Sequence, residues 1–449
     1  MSKKNVSQSS AVDIEDVARR AKEASWRLGT LSTESRDRAL EEILRCLEES
    51  RDAIVDVNRE DIADADEMVA NGEMSAALRK RLDLSGDKYE TILAGIRDLI
   101  KLEDPVGRVE LARELDDGLE LYRVTCPIGV IGVIFESRPD AAVQIATLAI
   151  KSGNAVLLKG GRESSRSNSA LVEAIRVALE RTGDVPPDAV QNLSTREEVR
   201  AMLGLSPYID LIIPRGSNEL VQSIQANTRI PVLGHADGIC HVYVDESAKC
   251  DTAVRVVVDS KVQYPGVCNA TETLLVHADA APTILPALAT ELIAKGVELR
   301  CDDRAAALVS QSSPATEEDW RSEHLDLVLG VKIVDSLVEA VKHINRYGSH
   351  HTDAIVTEDT ATAQIFMSRV DSAGVYQNAS TRFADGFRYG FGAEVGVSTC
   401  KTHSRGPVGL DGLVIYKYRL YGAGHRVADY GPGKRQFTHG EIAEGHRKI

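Results

Sequence analysis

"IGVIGVIFESRPDAAVQIATLAIKSGNAVLLKGG", residues 128–161, contains two apolar runs separated by a segment of helical periodicity. The runs are 128–135 and 154–161, and the periodic segment is 140–153. Strands buried on both faces of a sheet carry such continuous apolar runs, and helices connect them when the sheet is parallel. The stretch therefore predicts a β-α-β unit.

The same order of strand, turn and helix recurs along the chain. It is found at "DLIIPRGSNELVQSIQ" (210–225), and further apolar β-branched runs occur around 271–277, 325–334 and 351–359. Helical spacing of apolar residues also marks the front of the chain, from Val12 to about Ala70. Alternating strands and amphipathic helices predict an α/β fold with two doubly wound parallel-sheet domains.

A different pattern occupies 107–129, where residues alternate in polarity on either side of "DDG". This is typical of a β-hairpin. A two-stranded ribbon has few core partners of its own, so we expect it to project and to pair elsewhere. The tail "GLVIYKYRLYG" (412–422) is also strand-like.

Composition limits the class of protein. The 449 residues carry a net charge of −15, which argues against a nucleic-acid partner because phosphates would be repelled; adaptation to salt is another possible source of the acidity. The longest near-apolar run, 126–135, is too short for a membrane helix. The seven cysteines show no metal-ligand spacing, which predicts reduced thiols and no metal site. With no apolar segment behind the polar N-terminus, we expect a cytoplasmic protein.

Two stretches are candidates for binding a dinucleotide, although the sequence contains no G-x-G-x-x-G. Gly216 and Ser217 lie between an apolar strand and a helix, where backbone N–H groups and the helix N-terminus can hold a pyrophosphate. An ordinary strand-to-helix turn explains these residues as well.

Lys159 ends a buried-looking strand and is followed by Gly160, Gly161 and Arg162. A lysine there is costly unless an anion or water meets it, and a ribose 2′-phosphate would serve. No acidic residue occupies the two positions after Lys159 to repel that phosphate. The alternative is a lysine whose ammonium reaches solvent and an arginine that is simply solvated.

Cys268, in "YPGVCNATETLLVH" (264–277), is the candidate nucleophile because a Pro-Gly turn precedes it. If "NATET" opens a helical turn, the helix N-terminus lowers the pKa of the thiol, and its N–H groups, with the Asn269 side chain, can hold an oxyanion. A small buried cysteine is the alternative. A Cys–His arrangement with His235 or His241 lacks any recognised signature.

Taken together, these stretches resemble the aldehyde dehydrogenase superfamily, and within it the branch that reduces an acyl phosphate. The match follows the family's order over nearly the whole chain. The stretches that carry it are 127–141, 151–163, 213–221, 234–245, 264–277, 325–334, 344–359, 378–399 and 405–413.

The resemblance implies a division of the chain. An NADP-binding domain would comprise 1–106 and 129–239, and a catalytic domain 240–408. The ribbon at 107–128 and the tail at 409–449 would build a homo-oligomer.

The resemblance also implies an activity: NADPH-dependent reduction of L-glutamate 5-phosphate to L-glutamate 5-semialdehyde, with release of phosphate, in proline biosynthesis. Cys268 would be the catalytic cysteine, and Lys159 would meet the adenosine ribose. Gly216-Ser217 would hold the pyrophosphate, and Glu323 would lie near the nicotinamide ribose. Association with glutamate 5-kinase, which makes the acyl phosphate, is left open.

Two departures from the oxidising members of the family bear on the reaction. Val232 stands where their glutamate activates water to hydrolyse the thioester, so a thioester would survive until hydride arrives. Ser137 stands roughly where they carry an oxyanion-hole asparagine. The second donor of the hole would then be Asn269 or Ser137.

A phosphorylated amino acid needs cations in an otherwise acidic protein. Arg138, Arg382, Lys401 and Arg405 lie in segments that match the family and are candidate substrate-binding residues; structural ion pairs are the alternative. Two other functions stay open. One is an aldehyde dehydrogenase that oxidises or uses a thiol (CoA) acceptor, and the other is a nucleotide-binding or assembly protein without chemistry, for which loss of Cys268 would be expected.

Overall fold

The computed structural model describes residues 13–216, 218–234 and 237–442. Its helices are α1 (Ile14–Leu28), α2 (Thr33–Glu49), α3 (Arg51–Ala70), α4 (Ala76–Leu82), α5 (Asp87–Lys101), α6 (Pro139–Lys151), α7 (Ser165–Thr182), α8 (Arg196–Met202), α9 (Asn218–Asn227), α10 (Cys250–Val262), α11 (Ala281–Ala294), α12 (Asp303–Ala306), α13 (Leu337–Tyr347) and α14 (Thr360–Arg369). Its strands are β1 (Val109–Asp116), β2 (Leu119–Pro127), β3 (Val130–Phe135), β4 (Ala155–Lys159), β5 (Val190–Asn192), β6 (Leu211–Arg215), β7 (Cys240–Val244), β8 (Thr271–His277), β9 (Glu298–Cys301), β10 (Ser313–Pro314), β11 (Val328–Val334), β12 (Thr352–Val356), β13 (Gly374–Gln377), β14 (Val397–Ser398), β15 (Gly406–Pro407), β16 (Val414–Tyr421) and β17 (Gly440–Glu441).

The chain divides into two compact units. The first is made of the described residues within Met1–Gly216, Ile224–Val232 and Gly409–Ile449, and the second of those within Ser217–Ser223 and Leu233–Val408. None of the helices in the described ranges is long and apolar enough to cross a membrane.

The first unit contains a parallel sheet with the strand order β5-β4-β3-β6. Every residue of β3 and β4 is buried, and α6, which connects them, is buried along most of its length. The β-α-β unit predicted for 128–161 is therefore confirmed. The strand, turn and helix predicted at 210–225 are also present, as β6 and α9.

Helices cover this sheet, as the apolar spacing of the front segment predicts. Asp13 caps α1 and Ser32 caps α2 by accepting hydrogen bonds from backbone N–H groups of the first turn. The predicted helical front end is confirmed over the described part of that segment. Val12 lies outside the described residues.

The ribbon forms the second sheet of this unit. β1 and β2 pair antiparallel, which confirms the hairpin, and β16 pairs with β2 along its whole length from Val414↔Pro127 to Tyr421↔Glu120. In the described residues β16 is an edge of the sheet. Ile415, Tyr416 and Leu420 on this strand are exposed.

The second unit is built on a seven-stranded sheet whose pairings are all parallel, in the order β10-β9-β11-β8-β7-β12-β13. Alternate residues of β7 and β8 enter two different cores. Val242 and Leu274 pack with residues of α10 and α11, whereas Tyr243 packs with residues of α13 and α14. Both faces of the sheet are covered, and every residue of β7, β8 and β12 is buried.

Candidate active site

Cys268 lies half-buried in the turn between the end of α10 and the start of β8. β8 begins at Thr271, so the condition for a lowered thiol pKa, a helical turn opened by "NATET", is not met. The β-branched and apolar residues of "TETLLVH" pair with β7 and β11 instead of closing a helical turn. No helix N-terminus is therefore available in 269–277 to stabilise a thiolate.

The backbone of Cys268 is held from the β7 side. A Cβ atom placed on Gly238 would lie 2.6 Å from the Cys268 Cβ and would overlap its Cα and carbonyl oxygen. The Cys240 Sγ donates to the Cys268 carbonyl at 3.2 Å. Because burial raises the pKa of the Cys240 thiol well above its usual value, this thiol keeps the proton that it donates.

Asn269 is buried and points into the segment that contains Arg382. Its Nδ2 donates to the Ala384 carbonyl at 2.8 Å, and its own carbonyl accepts from the Thr381 hydroxyl at 2.7 Å. An amide carries two N–H groups, so this contact uses one of them. The oxyanion role predicted for Asn269 stays a prediction.

Arg382 is the predicted cation in the segment that contacts the Cys268 turn: the Thr381 hydroxyl, one residue before it, donates to the Asn269 carbonyl at 2.7 Å. It is 7% exposed, and its Nε donates to the Gln263 Oε1 at 2.9 Å. Burial and the nearby Arg388 lower the pKa of the guanidinium, and Cys268 raises it. Within the described residues no carboxylate lies at ion-pair distance from Arg382, and a buried cation without a partner favours an anionic ligand.

The other three predicted cations form ion pairs within the protein. Lys401 and Arg405 both bind Asp371, at 2.5 and 3.2 Å, and Lys401 is the main cause of the lowered pKa of that carboxyl. Arg138 is exposed and lies 3.5 Å from Asp140. These contacts are of the kind that structural ion pairs make, so a role in substrate binding stays a prediction for all three.

Ser137 is buried in the first unit, in the loop between β3 and α6, with a φ of 46°. Its backbone N–H and its hydroxyl both donate to the Glu163 Oε1, at 2.6 and 2.7 Å. The hydroxyl proton is thus directed to a carboxylate in this structure. Its proposed alternative role as an oxyanion donor stays a prediction.

Lys159 ends β4 and is buried, and its Nζ donates to the carbonyl of Gly160. Burial lowers the pKa of the ammonium, whereas Glu163 raises it. No carboxylate of the described chain lies within ion-pair distance of Lys159, so this site fits a phosphate or ribose of a dinucleotide. Gly160 and Gly161 leave room for Asn168 and Glu163, and Arg162 is exposed.

Gly216 follows β6 directly and α9 begins two residues later, so the strand-to-helix turn is present, and its pyrophosphate role stays a prediction. Ser217 and His235 lie outside the described residues. Glu323 lies in the segment before β11, where its charge raises the pKa of the Glu272 carboxyl. His241, the other histidine considered as a partner for Cys268, is buried and contacts Asp353 at 3.0 Å.

Sequence reasoning missed a fully buried ion pair that flanks the Cys268 turn. Lys261, in the last turn of α10, binds Glu272, the second residue of β8, at 2.7 Å. Burial raises the pKa of Glu272 to about 7 and lowers the pKa of Lys261. The signal was present in the sequence, since a glutamate within an apolar strand needs a partner.

The model of the aldehyde dehydrogenase family matches residues 3–325. The chain belongs to the aldehyde dehydrogenase family. The resemblance inferred from the sequence is thereby confirmed.

Among its aldehyde dehydrogenase relatives, the chain is similar to proteins named γ-glutamyl phosphate reductase. One from Acetivibrio thermocellus is 55% identical over 431 residues, covering 96% of this chain and 99% of the relative. Another, from Methanosarcina mazei, is 51% identical, covering 96% and 98%. The crystal structure of γ-glutamyl phosphate reductase from Thermotoga maritima is 40% identical with a TM-score of 0.89, covering 92% of this chain and 99% of that chain, and confirms the aldehyde dehydrogenase-like α/β fold.

Proposed function

We propose that this chain is a γ-glutamyl phosphate reductase of proline biosynthesis. It reduces L-glutamate 5-phosphate to L-glutamate 5-semialdehyde with NADPH and releases phosphate. The observation that carries the proposal is Arg382, a buried cation without a carboxylate partner in the described chain, in a segment hydrogen-bonded to Asn269, the residue after the half-buried Cys268. The near-complete coverage of relatives with that name supports the same substrate.

The first chemical step is attack of the Cys268 thiolate on the C5 acyl carbon. The C–S bond forms, the bond from carbon to the phosphate oxygen breaks, and phosphate leaves with the electron pair. Arg382 would neutralise the charge on that phosphate, because a guanidinium makes paired hydrogen bonds to oxyanions. Asn269 or Ser137 would hold the acyl oxygen as its negative charge develops.

The second step reduces the thioester. When bound, NADPH supplies the hydride for its carbonyl carbon. The C–S bond then breaks, the aldehyde leaves, and Cys268 recovers its thiolate. Val232 in place of a glutamate base leaves water without activation at that position, which protects the thioester until it is reduced.

The cofactor would be held by residues of the chain that can meet its anionic groups. Lys159 would bind the ribose 2′-phosphate, with Arg162 adding charge. The turn at Gly216-Ser217 would hold the pyrophosphate. Glu323 would bind the nicotinamide ribose.

The segments take the corresponding roles in this proposal. Residues 1–106 and 129–239 bind NADP, 240–408 carry the chemistry, and 107–128 with 409–449 build a homo-oligomer through the exposed edge strand β16. We place the protein in the cytoplasm. Association with glutamate 5-kinase would protect the reactive acyl phosphate.

An assay in the oxidative direction tests the function. Glutamate 5-semialdehyde is supplied with NADP⁺, and NADPH formation is followed with and without inorganic phosphate. Strict dependence on phosphate is expected, because phosphate must take the acyl group from Cys268. Turnover without phosphate would indicate an oxidising enzyme, or one that uses a thiol acceptor if CoA stimulates it. No turnover in folded protein would indicate a chain without this chemistry.

The covalent step has its own test. Cys268→Ser should abolish turnover and leave NADP⁺ binding nearly unchanged, because the cofactor residues named above do not include the thiol. Turnover of Cys268→Ser at the wild-type rate would exclude the cysteinyl thioester.

A further inference from the structure

The turn that carries Cys268 is closed at both ends by one buried ion pair. Lys261 lies in the last turn of the helix that leads into the turn, and Glu272 lies at the start of the strand that leaves it. The Lys261 Nζ and the Glu272 Oε2 are 2.7 Å apart, and both side chains are 0% exposed. The two ends of the turn are therefore joined directly by a buried, charge-assisted hydrogen bond.

The same carboxylate also binds a third segment. Its second oxygen, Oε1, accepts a hydrogen bond from the backbone N–H of Leu325 at 3.3 Å. Leu325 has a φ of 53°, which is unusual for leucine, and its carbonyl lies 3.8 Å from the position that a Cβ of Gly266 would take. Gly266 belongs to the Cys268 turn, so the Leu325 segment lies beside the turn.

The Leu325 segment carries the residue assigned to the cofactor. Glu323 is two positions before Leu325, and its negative charge is felt by Glu272. Glu272 belongs to the strand that follows Cys268. Its carboxylate contacts both the helix before Cys268 and the segment of Glu323.

Stability alone gives little reason for this pair. Removing two charges from water is expensive, and apolar residues of similar volume often stabilise a protein as well or better. What an ion pair provides and an apolar contact does not is direction: the carboxylate fixes an ammonium on one side and an N–H group on the other.

We propose that Lys261 and Glu272 are positioning residues, which hold the Cys268 turn in register with the segment of Glu323 so that the thioester and the hydride donor are aligned. The inference rests on the proposed function for the role of Glu323. Neither residue is assigned a contact with substrate. Their effect should fall on kcat, because a misplacement of about 1 Å in a reacting pair can cost roughly a hundredfold in rate.

The decisive variant replaces the whole pair by residues of similar length, Lys261→Met with Glu272→Met. It leaves no unpaired charge, so the thermal midpoint should stay near or above that of the wild type. We expect kcat of the phosphate-dependent reaction to fall roughly a hundredfold, with KM for phosphate changed by less than about threefold. Lys151→Met with Asp37→Leu is the control, since it removes a pair at 2.6 Å between a buried lysine and a partly buried aspartate in the first unit.

A second readout does not depend on turnover. The rate at which iodoacetamide alkylates Cys268, followed by mass spectrometry of its peptide, should change in the double variant and stay at the wild-type value in the control. A double variant with wild-type kcat and a wild-type alkylation rate would overturn the inference and leave the proposed function standing. Turnover of the wild-type protein without phosphate would overturn the proposed function instead.

Glu272→Asp covers the case in which the double variant does not fold. Aspartate keeps the charge beside Lys261 but is one methylene too short to reach both Lys261 and the Leu325 N–H. We expect a folded protein whose kcat is lowered at least about tenfold and whose KM for phosphate is nearly unchanged. Full kcat in this variant would contradict a positioning role.

Discussion

Gly238 and Cys268 approach each other so closely that only a hydrogen atom fits between them. A methyl group on Gly238 would meet the Cys268 Cβ at 2.6 Å, a distance that Cβ atoms in proteins essentially never show. The neighbouring atoms are backbone as well as side chain, so they cannot swing away. A side chain at position 238 would therefore force the Cys268 backbone to move.

Gly238→Ala should displace the Cys268 turn. We expect kcat to fall by at least about tenfold, because an ångström-scale shift of a nucleophile is felt directly in the rate. The measurement is turnover together with the rate of alkylation of Cys268. Gly95→Ala is the control: Gly95 lies inside α5 with no atom near its Cβ position, and alanine there should stabilise the protein by about 0.5–1 kcal/mol. Equal activity of the two alanine variants would contradict the steric argument.

Arg382→Lys tests the proposed phosphate contact. Lysine keeps the charge but cannot bind Gln263 through Nε and an oxyanion through a planar pair of N–H groups at the same time. We expect KM for phosphate in the oxidative assay to rise about tenfold, the equivalent of about 1.4 kcal/mol. Arg304→Lys, at an exposed pair with Asp335, should leave KM at the wild-type value. An unchanged KM in Arg382→Lys would remove this residue from the substrate site.

Lys159→Ala tests cofactor selection. If the ammonium meets the 2′-phosphate, its loss removes a charge-assisted hydrogen bond of about 1.5–3 kcal/mol, and NADP⁺ should bind at least about tenfold more weakly. NAD⁺ lacks that phosphate, so its affinity should change little. Titration of intrinsic fluorescence with both cofactors measures the two affinities, and Lys101→Ala, at an exposed ion pair, is the control. Equal losses for NAD⁺ and NADP⁺ would place Lys159 away from the 2′-phosphate.

The parts of the fold that sequence predicted are those fixed by local periodicity. The apolar runs of β3 and β4 are buried on both faces, and the turn between β1 and β2 is encoded by its own residues. The helical turn considered after Cys268 is absent because its conformation is not decided locally. "NATET" has no strong local preference, and pairing of β8 with strands that are distant in the sequence decided its conformation.

The candidate site was predictable only where one residue carries the signal. Cys268 follows a Pro-Gly turn and Lys159 ends a buried strand, and both features are local. The contacts of Gly238 with Cys268 and of Gln263 with Arg382 join separate segments, so no local pattern shows them. The same is true of Asp371, which binds two of the cations predicted for the substrate.

His343 should make the protein sensitive to acid. It is buried on α13, with its ring 4.5 Å from that of Tyr347 and 5.5 Å from those of Trp320 and His241. Burial lowers its pKa to about 2, and the charges of His241, Lys332 and Arg346 add to this effect. In the unfolded chain the pKa of this histidine is about 6.5. Below that pH the unfolded chain binds a proton that the folded chain does not, so the stability present at higher pH is lost as the pH falls. Between pH 6 and 5 the free energy of unfolding should decrease by up to about 1.4 kcal/mol per pH unit from this group alone.

Urea denaturation across this range should show a shallower pH dependence for His343→Leu than for the wild type, whereas the exposed His439→Gln should keep the wild-type slope. Equal slopes for the wild type and His343→Leu would show that His343 is protonated in the folded protein or titrates alike in both states.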